Sequence, residues 1–313
     1  MVIESRNEKS MSLKSTELGA FHWRLSRVDA LLMVVVIVAI SSSGPIIALS
    51  TAPVLAIATW RCIFASALTL PFAFKSGGFS SLNRTQIRGC LFAGLALAVH
   101  FSLWIPSVRL TSVANSVALV ATQPIWMLLM TKRLGHHIPR QVWWGIGVAF
   151  TGVILVVNVD AALSPQALLG DAMALASAIA AGAYLMIGGH VRATVSNSVY
   201  TVIVYAVSAV AIVLVAVFTG TQLWGFSQRD WMLIGVLTLG AQLLGHSLMS
   251  RLMQTTTAAV VGIAVLFEPP GAAIFAGFLL HQRIPAITAI GMAVILFGLV
   301  IVVRQSNPST INA

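Results

Sequence analysis

The stretch that decides the fold is TTTAAVVGIAVLFEPPGAAIFAGFLL, residues 255–280. It is long and apolar enough to cross a bilayer, yet Glu268, Pro269 and Pro270 interrupt its middle. Proline removes a backbone donor and frees a carbonyl one turn earlier. An ionised carboxylate at that depth costs about 2.5–3.5 kcal/mol on the insertion scale. Such irregularity is tolerated at depth only where protein or a water-filled cavity satisfies it. Its counterpart is LTSVANSVALVATQPIWMLLMTKRLG, residues 110–135. Thr111 aligns with Thr256, Ala114 with Ala259, Val120 with Val265, Pro124 with Pro269 and His136 with His281. After a one-residue shift, Ile138-Pro139 meets Ile284-Pro285, Gly145 meets Gly291 and Gly152 meets Gly298. So many matches in one register make an internal repeat.

The rest of the chain fits this reading. Of 313 residues, 58% are hydrophobic and only 8% charged, with a mean hydropathy of +0.95. A soluble domain carries about 25% charged residues. Ten apolar segments are read as spans: 28–50, 54–74, 87–107, 111–130, 141–158, 169–190, 198–218, 231–250, 256–280 and 286–303. Five spans per half is an odd number, so the halves enter the membrane with opposite orientation. Inverted repeats of this kind mark secondary transporters, with a site near the midplane between the halves.

The net charge of +10 follows from topology. With the N-terminus inside, fourteen basic residues are cytoplasmic: Arg6, Lys9, Lys14, Arg24, Arg27, Lys75, Arg84, Arg88, Lys132, Arg133, Arg140, Arg192, Arg251 and Arg304. Three are outside: Arg109, Arg229 and Arg283. This positive-inside bias puts both termini in the cytoplasm and removes the need for a nucleic-acid partner. Residues 1–27 read as a cytoplasmic tail with no cleavable signal, Phe21, His22, Trp23 and Arg24 as an interfacial anchor, and 304–313 as a second tail. Cys62 and Cys90 have neither metal-ligand nor redox spacing, so no metal or cofactor is expected.

The fragments APVLAIATWRCIF (52–64), 110–135 and WGIGVAFTGVILVV (144–157), with their second-half echoes, resemble the EamA family of the drug/metabolite transporter superfamily. The resemblance spans roughly residues 28–303. It implies an all-α membrane protein of ten transmembrane helices, in two inverted five-helix repeats (28–158 and 167–303) around a central cavity. It also implies a permease of the bacterial inner membrane that moves small metabolites such as amino acids, often outward. Two departures stand out. The family's glutamate after the fourth and ninth helices is His136 and His281 here, and its Trp-Gly in the first helix is replaced by SSSGP (41–45).

Only Glu268 among the eight acids falls mid-membrane, and it aligns with Gln123. Arg61 is its obvious partner, or a binder of a substrate carboxylate through its bidentate fork; the alternative is a structural arginine. His100 and Trp104 share a helix face at i, i+4, as do Gln242 and His246. Trp60 and Tyr184 are candidate aromatic walls. Each of these has a structural alternative in helix packing. Gly44 and Pro45, with Pro124, Pro269 and Pro270, are candidate helix breaks or hinges. A proton is the candidate coupling ion, at Glu268. Alternatives to a secondary transporter are a facilitative uniporter and a multidrug exporter. An intramembrane enzyme is disfavoured: HExxH and paired intramembrane acids are both lacking.

Overall fold

The computed structural model describes residues 26–80, 82–135, 138–255 and 265–305, all helices and connecting turns among the described residues. The tail residues Phe21–Arg24, His136 and the segment 256–264 lie outside them. The helices are α1 (Arg27–Ser41), α2 (Ser43–Leu49), α3 (Val54–Lys75), α4 (Arg84–Leu110), α5 (Val113–Val120), α6 (Gln123–Arg133) and α7 (Arg140–Leu163). They continue as α8 (Pro165–Arg192), α9 (Asn197–Phe218), α10 (Gln228–Leu237), a π-helical stretch (Thr238–Ser247), α11 (Leu248–Thr255), α12 (Glu268–Leu280) and α13 (Ala286–Gln305).

Helix starts follow local chemistry. Ser26, Ser112, Ser164 and Ser227 each accept a backbone N–H from three residues on, satisfying a donor that the first turn leaves free. Asn83 and Gln86 form a reciprocal capping box at the start of α4. The outer surface is apolar, with Phe92, Phe278 and Phe297 all exposed.

Seven helical stretches are long and apolar enough to cross a membrane: Arg27–Leu49, Val54–Lys75, Arg84–Leu110, Val113–Arg133, Pro165–Arg192, Asn197–Phe218 and Gln228–Leu252. Three more, Arg140–Val156, Glu268–Leu280 and Ala286–Val302, are apolar but shorter over their described residues. The ninth span expected from sequence begins at 256, so its first part lies outside the described residues.

The most extensive helix pairings are α4 with α8, α7 with α13, and α3 with α9. At the α7–α13 seam, glycines let the backbones touch. A Cβ on Gly145 would lie 2.9 Å from the Gly298 carbonyl oxygen, and one on Gly152 would lie 2.6 Å from that of Gly291. The two helices therefore run antiparallel, with Gly145 opposite Gly298 and Gly152 opposite Gly291.

A second tie joins the halves near the end of the bundle that carries the α2–α3 turn. The buried Asp230 carboxylate accepts five hydrogen bonds. Oδ1 receives Ser50 Oγ (2.7 Å), Thr51 N (2.7 Å) and Ala52 N (3.3 Å). Oδ2 receives Thr51 Oγ1 (2.8 Å) and Ser227 Oγ (2.7 Å). Arg109 Nη2 donates to the Ser50 and Ala52 carbonyls of the same turn (2.7 and 2.8 Å). The first half carries a weaker parallel: Gln86, in the same third position of its helix, donates once to Thr194 Oγ1 in the α8–α9 turn (3.0 Å), and that bond is exposed.

Two stability differences follow. Gly152→Ala should lose about 1–3 kcal/mol because its Cβ meets backbone that cannot give way. Gly147→Ala, in the same helix with open space at its Cβ, should be neutral or slightly stabilising. Asp230→Ala should lower the melting temperature in detergent clearly more than Gln86→Ala does, since it strands several charge-assisted donors.

Candidate functional site

Three spans break at the same level of the bundle. The first breaks at Ser42, between α1 and α2. The fourth breaks at Ala121 and Thr122, so that Gln123 begins α6 with Pro124 next to it. The third break lies just before Glu268, which begins α12 with Pro269 and Pro270 following. Proline in a first turn removes a donor that would otherwise lack a partner, so these breaks create little unmet polarity. Pro45 and Gly44 sit inside α2 rather than at the break itself. A Cβ on Gly44 would lie 2.9 Å from Val113 Cγ1, so this glycine also serves close packing against α5.

The breaks surround one cavity of about 40 Å³. Six of the residues singled out in the sequence line it: Glu268, Gln123, His100, Trp104, Tyr184 and His246. Ser43 joins them from the first break. A water needs roughly 10–15 Å³ by this kind of measure, so in this conformation the cavity takes a few waters and no metabolite.

Each wall has a physical reason for its place. Glu268 and Gln123 are each the first residue of a helix after a break, with a proline next to each. The Glu268 carboxyl has no hydrogen-bond or ion-pair partner among the described residues and faces the cavity, while its carbonyl accepts from Ser41 Oγ at 3.3 Å. The His100 ring lies flat on Trp104, with centroids 5.8 Å apart and 5° between planes. Its Nδ1 is 2.7 Å from the Ser177 hydroxyl, which fixes the ring from α8. Gly182 lets α8 approach the α5–α6 break: a Cβ there would lie 3.0 Å from the Gln123 carbonyl. Tyr184, two residues on, then reaches the cavity, in edge contact with His246 at 6.3 Å.

Three expected cavity residues stand elsewhere. Trp60 belongs to an aromatic cluster near the Asp230 tie. Its Nε1 donates to the Leu223 carbonyl (2.7 Å) and its ring packs on Trp224, Trp231 and Phe64 at 4.4, 5.2 and 5.3 Å. Arg61, fully buried, does not line the cavity and does not pair with Glu268. Its Nε donates to Gln242 Oε1 at 2.8 Å, and its Cζ lies 4.3 Å over the Phe101 ring. Gln242 faces Arg61 and likewise lies behind the cavity wall. Facing the same region, Phe101 is in edge contact with His246 at 5.7 Å. Arg61 is therefore one ring away from the cavity.

Gln242 and His246 come from the π-helical stretch, where each N–H reaches five residues back. The Gln242 carbonyl there accepts from Tyr205 Oη (3.2 Å) and Ser247 Oγ (3.3 Å), so side chains stabilise the altered backbone. Ser177, Phe101 and Gly182 were not singled out in the sequence. A lone serine or glycine in an apolar helix carries no local signal, and Phe101 reads as packing.

No curated protein matches the chain. One crystal structure of a protein superposes with a TM-score of 0.62, covering 90% of this chain and 100% of that one, at 14% identity. At that identity the likeness concerns the fold. The EamA-like transporter family matches twice, over residues 28–158 and 168–304. With both matches tiling an all-helical, lipid-compatible bundle, the chain belongs to the EamA-like transporter family and is a multi-pass integral membrane protein.

Proposed function

We propose that the chain is a secondary active transporter, acting as an exporter of small metabolites such as amino acids in a bacterial inner membrane. It works by alternating access of the central cavity, with ten spans arranged as two inverted repeats, 28–158 and 167–303. The observation that carries this reading is the cavity itself: Gln123 and Glu268 are aligned in the repeat and both begin a helix after a break. Discontinuous helices meeting between repeats are how transporters build a midplane site.

The packing supports the inverted arrangement. Gly145 aligns with Gly291 and Gly152 with Gly298, yet the contacts run Gly145 to Gly298 and Gly152 to Gly291. Such an exchange of partners is what a two-fold axis between α7 and α13 produces. The other pairings exchange in the same way. The first half's α4 packs on α8, and α1 packs on the π-helical stretch and α11. The pair α5 and α6 packs on α8, while α12 packs on α1 and α2.

The cavity's small volume supports a closed conformation of the cycle, in which only water is enclosed. Opening would come from one repeat rocking against the other about the α7–α13 seam. Glu268, facing that water without a protein partner, is the residue placed to exchange a proton.

Reporter fusions test the topology. Fluorescent protein fused at either terminus should fold and fluoresce in the cytoplasm, and a periplasm-dependent reporter inserted beside Arg229 should be active. Liposomes containing the purified chain and loaded with labelled amino acids test the activity. An imposed pH gradient should drive movement against the amino-acid gradient, and a protonophore should abolish it. Glu268→Gln should remove the pH dependence while the protein still folds. Retained pH-dependent transport in that variant would sink the proton role, and transport indifferent to the protonophore would favour a uniporter.

A further inference from the structure

Behind the cavity wall, buried polar nitrogens collect without partners among the described residues. Arg61 uses Nε for Gln242 Oε1, but Nη1 and Nη2 have no partner among the described residues. The Gln242 Nε2 is equally unpartnered, and so is the buried Nδ1 of His246 beside them. Arg61 and Gln242 are fully buried. A buried guanidinium with no carboxylate near it is strongly unfavourable. Phe101 below the guanidinium offers its π face, which offsets part of that cost but accepts no in-plane hydrogen bond.

The geometry of the free donors selects the ligand. Nη1 and Nη2 form the end of the guanidinium fork, whose spacing matches the two oxygens of one carboxylate. The Gln242 amide, whose Oε1 accepts from Arg61 Nε, adds a third unpartnered donor at Nε2. A halide would occupy only one point of this set. We propose that Arg61 and Gln242 form a carboxylate pocket one ring behind the cavity, reached past His246 and Phe101, which takes the carboxylate of the transported solute. This rests on the transporter reading for the source of the ligand, but the binding itself does not require transport. It gives the site a direction: the solute's carboxylate lies toward Arg61, and its other end faces Glu268 and the aromatic walls.

The test is a matched pair of probes on the full-length chain in detergent. A ligand that binds only the folded state raises the melting temperature as its concentration exceeds its dissociation constant. Butyrate should raise the melting temperature in a concentration-dependent way, and butyramide, of the same shape without the charge, should not. Arg61→Lys keeps the charge but loses the fork, so about tenfold more butyrate should be needed. Gln242→Glu supplies a carboxylate from the protein itself. It should raise the melting temperature without ligand and abolish the response to butyrate. Equal responses to butyrate and butyramide would overturn the pocket. So would a Gln242→Glu variant that melts lower or still responds. Carboxylate binding without any liposome transport would leave the pocket standing and defeat the transporter reading. Transport of alaninamide as fast as alanine would do the reverse.

Discussion

Lipid accepts no hydrogen bonds, and that constraint organises the rest of this molecule. Every backbone polar group at membrane depth must find its partner within the chain or in a water-filled cavity. Lipid-facing helix surfaces are therefore plain, with phenylalanines such as Phe92 and Phe278 turned outward. The irregular features keep their polar side chains buried or half-buried. These are the breaks at Ser42, at Thr122 and before Glu268, the π-helical stretch, and the buried Arg61. Each irregularity comes with a local remedy. Proline removes donors at two breaks, Ser41 reaches the Glu268 carbonyl, and Tyr205 and Ser247 reach the Gln242 carbonyl. The Glu268 carboxyl and the Nη atoms of Arg61 are among the polar groups that find no such partner among the described residues.

Much of the fold was legible because the information lay along the chain. Hydropathy marked the spans, and the repeat of Pro124 and Pro269 marked two breaks. The glycine matches between 144–157 and 290–303 marked the repeat, but that these glycines form a seam, and which meets which, is set by packing between distant segments. The cavity was legible in part for the same reason: Gln123 and Glu268 directly precede the repeat prolines, and His100 and Trp104 share one helical face. What was not legible depends on rotation and on distant segments. Charge alone paired Arg61 with Glu268, but the helix carrying Arg61 turns it toward Gln242 and Phe101. Trp60, one residue earlier, necessarily points elsewhere and joins the aromatic cluster. Ser177 fixes His100 from another helix, and nothing near it in sequence announces that.

Repetition and difference play separate parts. What the halves share, the prolines and the glycine seam, builds the scaffold. What they do not share makes the cavity lining uneven. Glu268 stands opposite Gln123, so one side of the cavity carries an ionisable group and the other a neutral amide. The π-helical stretch, with Gln242 and His246, has no counterpart in α4, which is helical throughout at the corresponding place. The cavity is therefore polar in a directional sense although the frame around it is nearly symmetric.

The two helix-start ties carry a consequence for the energy landscape. The Asp230 tie gathers five hydrogen bonds on one buried carboxylate, whereas the Gln86 tie makes one exposed bond. A buried charge-assisted network is costly to break and an exposed neutral bond is not. The Ser50–Ala52 turn is therefore held to α10 more firmly than the α8–α9 turn is held to α4, so thermal motion parts the second pair first.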